Sequence, residues 1–340
     1  MDGVSSIDES PQTTPHDLRA VGVVAIGRNE GDRLRRFFDS LPGGLGPVVY
    51  VDSASTDGSV EEARRRGIEA VALDMSLPFT AARARNAGFR RLRERWPGVA
   101  FVQFVDGDCA LAPGWLEAAS RALETNPGVA VVCGRRRERS PEASVYNRLC
   151  DMEWNTPVGD ALSCGGDALA RVEAVQEAGG YDDRLIAGEE PEMCARLRAR
   201  GWRILRIDCE MTLHDAAMTS FGQWWKRTVR GGHAFAEVSS MHPGLWRREF
   251  RSSVVWGLVL PALAILPAPF TRGASLLLLA AYPALAARIA RYRRRRGDAM
   301  RDAAPYAGFC VLGKFPELAG AARYWWSARL GRRSRLIEYK

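Results

Sequence analysis

Asp106-Gly107-Asp108 places two carboxylates two residues apart, directly after the apolar run Val99-Ala-Phe-Val-Gln-Phe-Val105. A run of that composition predicts a buried strand, so both acids stand at its C-terminal tip. In an open α/β sheet, ligands collect at that edge. Paired carboxylates with no fixed basic neighbour repel each other and draw in a hard divalent cation, which keeps coordination positions for phosphate oxygens. Asp-Gly is equally a strong hairpin-turn signal, and most isolated triplets of this kind are only turns. An EF-hand is excluded, because Leu111 stands where such a loop requires glycine, even though Glu117 fills the twelfth position.

Other polar groups converge on the same edge. Val24-Ala-Ile-Gly-Arg28-Asn29-Glu30 ends the first predicted strand, and neither G-x-G-x-x-G nor G-K-[ST] follows it. A nucleotide bound there must be held by side chains and a metal rather than by a glycine-rich loop. Asp52, followed by Ser53, ends the second strand, where it could accept from a base N–H or a ribose hydroxyl. Thr56-Asp57 reads as the cap of the next helix. In Arg83-Ala-Arg85-Asn86-Ala-Gly88, an arginine on the inner face of a crossover helix could neutralise uracil carbonyl or phosphate oxygens.

The elements that must position these groups follow from patterning. Apolar runs at Val21–Ile26, Val48–Asp52, Ile68–Leu73, Val99–Val105 and Val129–Cys133 alternate with amphipathic stretches at Glu30–Leu41, Ser59–Arg66, Thr80–Arg95 and Pro113–Glu124. That alternation predicts βαβ units and a mostly parallel, Rossmann-like central sheet flanked by helices. Helices are also expected at Glu190–Arg200 and, amphipathic and rich in tryptophan and arginine, at Ser220–Glu237. Ser252–Phe270 then runs 19 residues without a charge and Ala274–Ala287 is a second uncharged stretch; four prolines interrupt them. The first is barely long enough to span a bilayer and the second falls short unless tilted or interfacial. Arg247, Arg248 and Arg251 precede the pair, and Arg291 with Arg293 to Arg296 follow it. Positive flanks on both sides predict a hairpin dipping into the membrane from the cytoplasmic face.

Composition narrows the classes. At 46% hydrophobic and 26% charged residues, the 340-residue chain folds around a large core. Its net charge of +8 is a property of the tail: residues 291–340 carry +9, which leaves −1 for residues 1–290. A neutral first part argues against nucleic acid as a partner, and a basic tail beside apolar segments suits an anionic membrane surface. Seven cysteines without a C-x-x-C pair read as small buried residues in a reducing compartment. The polar Met1–His16 has no apolar core of a signal peptide, and residues 1–18 are expected to be a disordered tail.

Taken in order, Asn29-Glu30, Val51-Asp52-Ser53, Ser55-Thr56-Asp57-Gly58, Ala84-Arg85-Asn86, Asp106-Gly107-Asp108, Gly165-Gly166, Gly188-Glu189-Glu190 and His214 resemble a family 2 glycosyltransferase over about residues 20 to 235. The resemblance implies a GT-A fold, a nucleotide-sugar donor that is usually a uridine diphosphate sugar, a divalent metal (Mn2+ or Mg2+) and inversion at the anomeric carbon. It assigns Arg28, Asn29, Glu30, Asp52, Ser53 and Arg85 to the donor nucleotide. Asp106 would lie near ribose and metal, Asp108 would be the direct ligand, and His214 would complete the metal shell. Inversion needs a base for the acceptor hydroxyl. The resemblance puts that base at Glu190, with Glu189 as the competing choice, because the family usually writes Glu-Asp here. Acids also favour a helix start for electrostatic reasons, which accounts for Glu192. Gly165 and Gly166 fall on the acceptor or phosphate side. Gln223-Trp224-Trp225-Lys226-Arg227 is an imperfect match to the Q-x-x-R-W segment of processive synthases; Trp225 or Trp224 would lie near the acceptor and Lys226 or Arg227 near phosphate.

The expected organisation is a catalytic domain over residues 19–238 and a helical membrane-associated region over 239–340, with the apolar hairpin at 252–287 and the basic tail. The expected activity is transfer of a sugar to a lipid-linked or polysaccharide acceptor at the cytoplasmic membrane face. Two rivals share parts of the pattern: a sugar nucleotidyltransferase, which would need a glycine-rich basic loop after the first strand, and a non-catalytic membrane scaffold.

Overall fold

The computed structural model describes residues 17–331. The segment expected to be disordered, 1–18, therefore lies almost wholly outside the described residues. Leu18 already belongs to the core, in a 3-10 turn Leu18–Ala20 that Asp17 caps through the Arg19 amide.

Nine strands form one sheet in the order β3-β2-β1-β4-β8-β6-β9-β5, with β7 also on β9. One half is parallel: β1 (Val21–Gly27), β2 (Val48–Asp52), β3 (Glu69–Ala72) and β4 (Phe101–Asp106). β1 is buried through Ile26, as its near-continuous apolar run requires of a strand covered on both faces. The other half is mixed. β8 (Ala168–Arg171) runs antiparallel between β4 and β6 (Val129–Glu138), whereas β9 (Arg203–His214) is parallel to β6. Short antiparallel partners, β5 (Cys109–Leu111) and β7 (Gly159–Ala161), complete it.

Helices α1 (Asp32–Asp39), α2 (Ser59–Arg65), α3 (Ala81–Arg95), α4 (Trp115–Thr125), α5 (Val145–Glu153), α6 (Val172–Ala178) and α7 (Glu189–Ala199) accompany the sheet. Thr80 caps α3 by accepting from the Arg83 amide. Gly88 lets that helix settle onto β1 and β2, because a Cβ there would run into Val24 and Val51. The close seat fixes the depth of Arg85 on the same helix.

Beyond the sheet, α8 (Phe221–Met241) starts in a capping box between Ser220 and Gln223. It packs along α13 (Lys314–Arg329) at a backbone-to-backbone crossing. A Cβ on Gly232 would strike the Glu317 backbone, and one on Gly320 the Val229 carbonyl. Between them, α9 (Arg247–Val254) passes through a π-helical turn, Val255–Val259, into α10 (Leu260–Ile265). After a turn and a 3-10 segment, Ala274–Ala280, come α11 (Ala281–Arg295) and α12 (Met300–Leu312). The sequence favoured the first apolar stretch as the longer span. Among the described residues, the one helix long and apolar enough to cross a membrane is instead Ala274–Arg295. The first stretch is helical only to Ile265, fourteen residues past Arg251, and rests on α13, where Gly257 lies against Lys314 and Leu318.

Candidate active site

The sheet itself assembles the acidic tip. β4 stops at Asp106, the chain turns through Gly107, and β5 pairs antiparallel with the end of β9 in the register Cys109↔His214. Asp108 is thereby carried to His214, whose Nε2 lies 3.4 Å from Asp108 Oδ2, with both side chains buried. On the far side of the imidazole, Nδ1 lies 3.6 Å from Glu138 Oε2, and Trp154 packs edge-on at 4.9 Å between ring centroids. Burial works against the imidazolium, but the Asp108 carboxylate outweighs it and holds the His214 pKa above its ordinary value.

Asp106 is in a different position from the one its sequence context led us to expect. It has two fixed basic neighbours: Arg85 Nη2 at 2.8 Å and Arg136 Nη2 at 3.4 Å. Burial raises its pKa, and the two guanidinium groups overcome that effect and hold it below the usual carboxylate range. Arg136 is itself clamped by Asp167, at 2.7 Å, and lies over the Trp154 ring. Asp167 is fully buried and also accepts from Thr212 Oγ1 and the Asp106 amide. Cation-binding capacity therefore concentrates at Asp108 and His214, with Cys109 close by, while Asp106 and Asp167 lie in a second such grouping.

Arg85 joins the acidic tip to the start of α7. Its Nη1 lies 2.8 Å from Glu189 Oε1 and 2.9 Å from Glu190 Oε1. The α7 start is set by Gly188, whose positive φ of 84° places it in the left-handed region that glycine occupies freely. Glu189 is the more buried of the two acids and Glu190 the more open, with side-chain exposures of 5% and 12%. Burial, together with the neighbouring Glu189 charge, pushes the Glu190 pKa up to about 7, against the opposing pull of Arg85. Gly166 closes over this cluster: a Cβ there would press on Arg85, Asp106 and Glu190. Gly165 faces open space.

Residues 23–161 match the model of the glycosyl transferase family 2 family. Over these residues the chain carries family 2 glycosyltransferase sequence. The chain is similar to the pre-mycofactocin glycosyltransferase of Mycobacterium tuberculosis, 27% identical over 236 residues, a match that covers 66% of this chain and 48% of that protein. It thus spans about half the length of that relative. It is 24% identical to the glycosyltransferase AglE of Haloferax volcanii over 255 residues, covering 71% of this chain and 81% of AglE. Among solved structures it resembles the mannosyltransferase PcManGT of Pyrobaculum calidifontis, determined with GDP-mannose and Mn2+, at a TM-score of 0.60 and 19% identity over 91% of this chain and 87% of that one. That likeness gives the fold, GT-A, with a curled central sheet.

One cavity of about 890 Å³ in the glycosyltransferase fold brings together many of the residues singled out from sequence. Arg28, Asn29, Glu30, Arg85, Asp106, Asp108, Gly166, Glu189, Glu190 and Arg227 all line it. Others stand back. Asp52 is buried beneath the cleft, its oxygens 3.1 Å from the Tyr50 hydroxyl and 2.9 Å from the Ser55 amide, both donors. Ser53 is buried and gives its amide to the Gly27 carbonyl. Asn29 has a structural task as well: its Oδ1 accepts from the Thr56 amide at 2.7 Å, which ties the two loops at the sheet edge together. Asp57 accepts from Gly31 and Ser59, but the N-cap of α2 is Gly58, without a side-chain cap, so Thr56-Asp57 precede the helix rather than cap it.

On α8, Trp224 is buried against Phe309, Trp225 packs toward Ile186 and Val229, and Lys226 is exposed outside the cleft. Only Arg227 of that segment reaches the cavity wall, paired with Glu153 at 2.9 Å. The sequence reading missed Arg136, Asp167, Arg230, Phe235 and Trp246. Arg136 was detectable in principle. Within Arg135-Arg136-Arg137 of β6, alternation sends Arg135 and Arg137 to Asp151 on one face and Arg136 to Asp167 on the other.

Proposed function

We propose that this protein is an inverting, divalent-metal-assisted glycosyltransferase that moves a sugar from a nucleoside diphosphate sugar, with uridine diphosphate as first choice, to a hydroxyl on a lipid-linked or polysaccharide acceptor. The observation that carries the reading is Arg85, which links the acidic tip of β4 to Glu189 and Glu190 inside a single cavity. Donor and base would thus be held by one rigid ion network.

Glu190 is the general base. It is the more open of the two acids, and its raised pKa matches proton uptake near neutrality. Glu189, deeper and held by Arg85, positions that arginine. Asp108 and His214 form a carboxylate and imidazole donor set that fits Mn2+ or Mg2+, and Glu138, 3.6 Å behind the imidazole, stands where it would become the outer partner of a ligating histidine on a small closure. When bound, such an ion supplies charge stabilisation to the departing diphosphate. Arg85 and Arg136 hold Asp106 beside it, and Arg28 and Arg227 bring further positive charge to the phosphate-facing walls.

The reading extends to the membrane surface. Leu266 and Phe270, in the turn after α10, and Leu277, in the 3-10 segment before α11, are 72%, 90% and 77% exposed, too much apolar area to leave in water, with the arginines of α11 following in the chain. Arg272, in the turn between the two apolar segments, favours a hairpin lying in the interface over one buried deep in lipid. The catalytic cleft would face the cytoplasm.

The test is incubation of the purified protein with a panel of uridine, guanosine and thymidine diphosphate sugars, Mn2+ and a membrane lipid extract. Nucleoside diphosphate should be released from one donor, with a product of inverted anomeric configuration by NMR. Pyrophosphate release from a nucleoside triphosphate would indicate a nucleotidyltransferase instead.

A further inference from the structure

Trp246 and Phe235 form an aromatic wall of the cavity that no motif announces. Phe235 lies on α8 and Trp246 immediately before α9, and their rings meet edge to face at 5.1 Å. Both line the same cavity as Glu190. The indole is seated over the start of the base-bearing helix: a Cβ on Gly188, two residues before Glu190, would meet Trp246 Cζ3 at 2.9 Å. Trp246 is held in the left-handed region, at φ 56°, a conformation that a bulky residue adopts only when its surroundings impose it. The chain leaves this residue through α9 into the π-helical turn and α10, where Leu258 and Leu263 are more than half exposed.

We infer that Trp246 and Phe235 are the acceptor platform: the sugar ring of an amphiphilic, chain-bearing glycoside stacks on them and presents its hydroxyl to Glu190, while its apolar chain runs out past the arginines of α9 toward Leu258 and Leu263. The inference rests on the activity proposed above and names its acceptor class. An aromatic face suits the C–H side of a sugar ring, and of the three aromatic residues lining the cavity, Phe79, Phe235 and Trp246, the last two meet in one surface. Continuity from aromatic wall to exposed helix sets the order of head and chain.

The experiment uses octyl β-D-glucoside below its micelle concentration as the probe, with full-length protein and saturation-transfer NMR. In parallel, UDP and GDP binding in the presence of Mn2+ is measured by calorimetry. Expected are saturable octyl glucoside binding to the wild type, at least tenfold weaker binding to Trp246→Ala and Phe235→Ala, and retention by Trp246→Phe. Trp326→Ala, an exposed site outside the cleft, should leave binding intact, as should free glucose as a competitor at equal concentration. Nucleotide affinity should stay within twofold in every variant. Undiminished glucoside binding in folded Trp246→Ala, or no saturable binding to the wild type, overturns the platform while nucleotide binding stands. Loss of nucleotide binding in the wild type would instead sink the activity itself. Should Trp246→Ala not fold, Trp246→Phe against Phe235→Ala gives the same decision.

Discussion

At the level of single residues, groups that react are distinct from groups that hold. Glu190→Gln should lower kcat by about 10²- to 10⁴-fold, the usual worth of a general base, with little change in donor KM. Because the Glu190 carboxyl is raised to about 7 in the folded chain, the reactive, deprotonated form accumulates as pH rises through that value. The kcat/KM profile should therefore show an acidic limb with its midpoint near 7, absent from the residual activity of Glu190→Gln. Arg85→Met is expected to act on folding as well as turnover. It leaves Glu189 buried without its cation and Asp106 with Arg136 alone, a loss of about 3–5 kcal/mol measurable by urea denaturation. The acidic tip, Arg85 and the Glu189-Glu190 pair were legible in the chain because each combines a chemical type with a strand or helix end. Asp52 and Ser53 were not placed correctly by that logic. A strand tip has two sides, and the sequence does not say that Tyr50 and Ser55 take the Asp52 oxygens away from the cleft.

Elements were easier to read where one period persists. β2 appears over the span its alternation marks, and α2 and α3 differ from expectation by a residue at one end. β6 runs on to Glu138, five residues past its expected end at Cys133, because Arg135 to Arg137 find buried or half-buried acids rather than water. The insertion of β8 antiparallel between β4 and β6 has no local signature, since Ala168–Arg171 is too short to announce a strand or its direction. The α8–α13 crossing is likewise invisible in either helix alone. It depends on Gly232 and Gly320, which allow backbones to touch. Gly232→Leu should force α13 away and expose the C-terminal helices, read as faster limited proteolysis after residue 241 and a lower Tm, with the sheet's circular dichroism retained. Gly222→Ala on the same helix, where nothing lies within 4 Å, serves as the control.

Across the whole molecule, a neutral catalytic sheet is joined to a cationic, apolar helical region, and the charge imbalance visible in composition maps onto that division. The account expects flotation with anionic vesicles, weakened by salt because part of the attraction is between arginines and headgroups. Leu266→Glu with Leu277→Glu should abolish flotation without changing donor hydrolysis in solution. The central claim is narrower: a divalent ion held at Asp108 and His214 carries the donor diphosphate. It is tested most directly by calorimetric titration of the nucleoside diphosphate selected by the donor panel, with Mn2+ and with chelator, into the wild type and Asp108→Asn. The account predicts tight binding to the wild type only with Mn2+, and binding at least tenfold weaker in Asp108→Asn whether or not the ion is present. Equal affinity in Mn2+ and chelator, or an Asp108→Asn protein that binds as the wild type does, would contradict it.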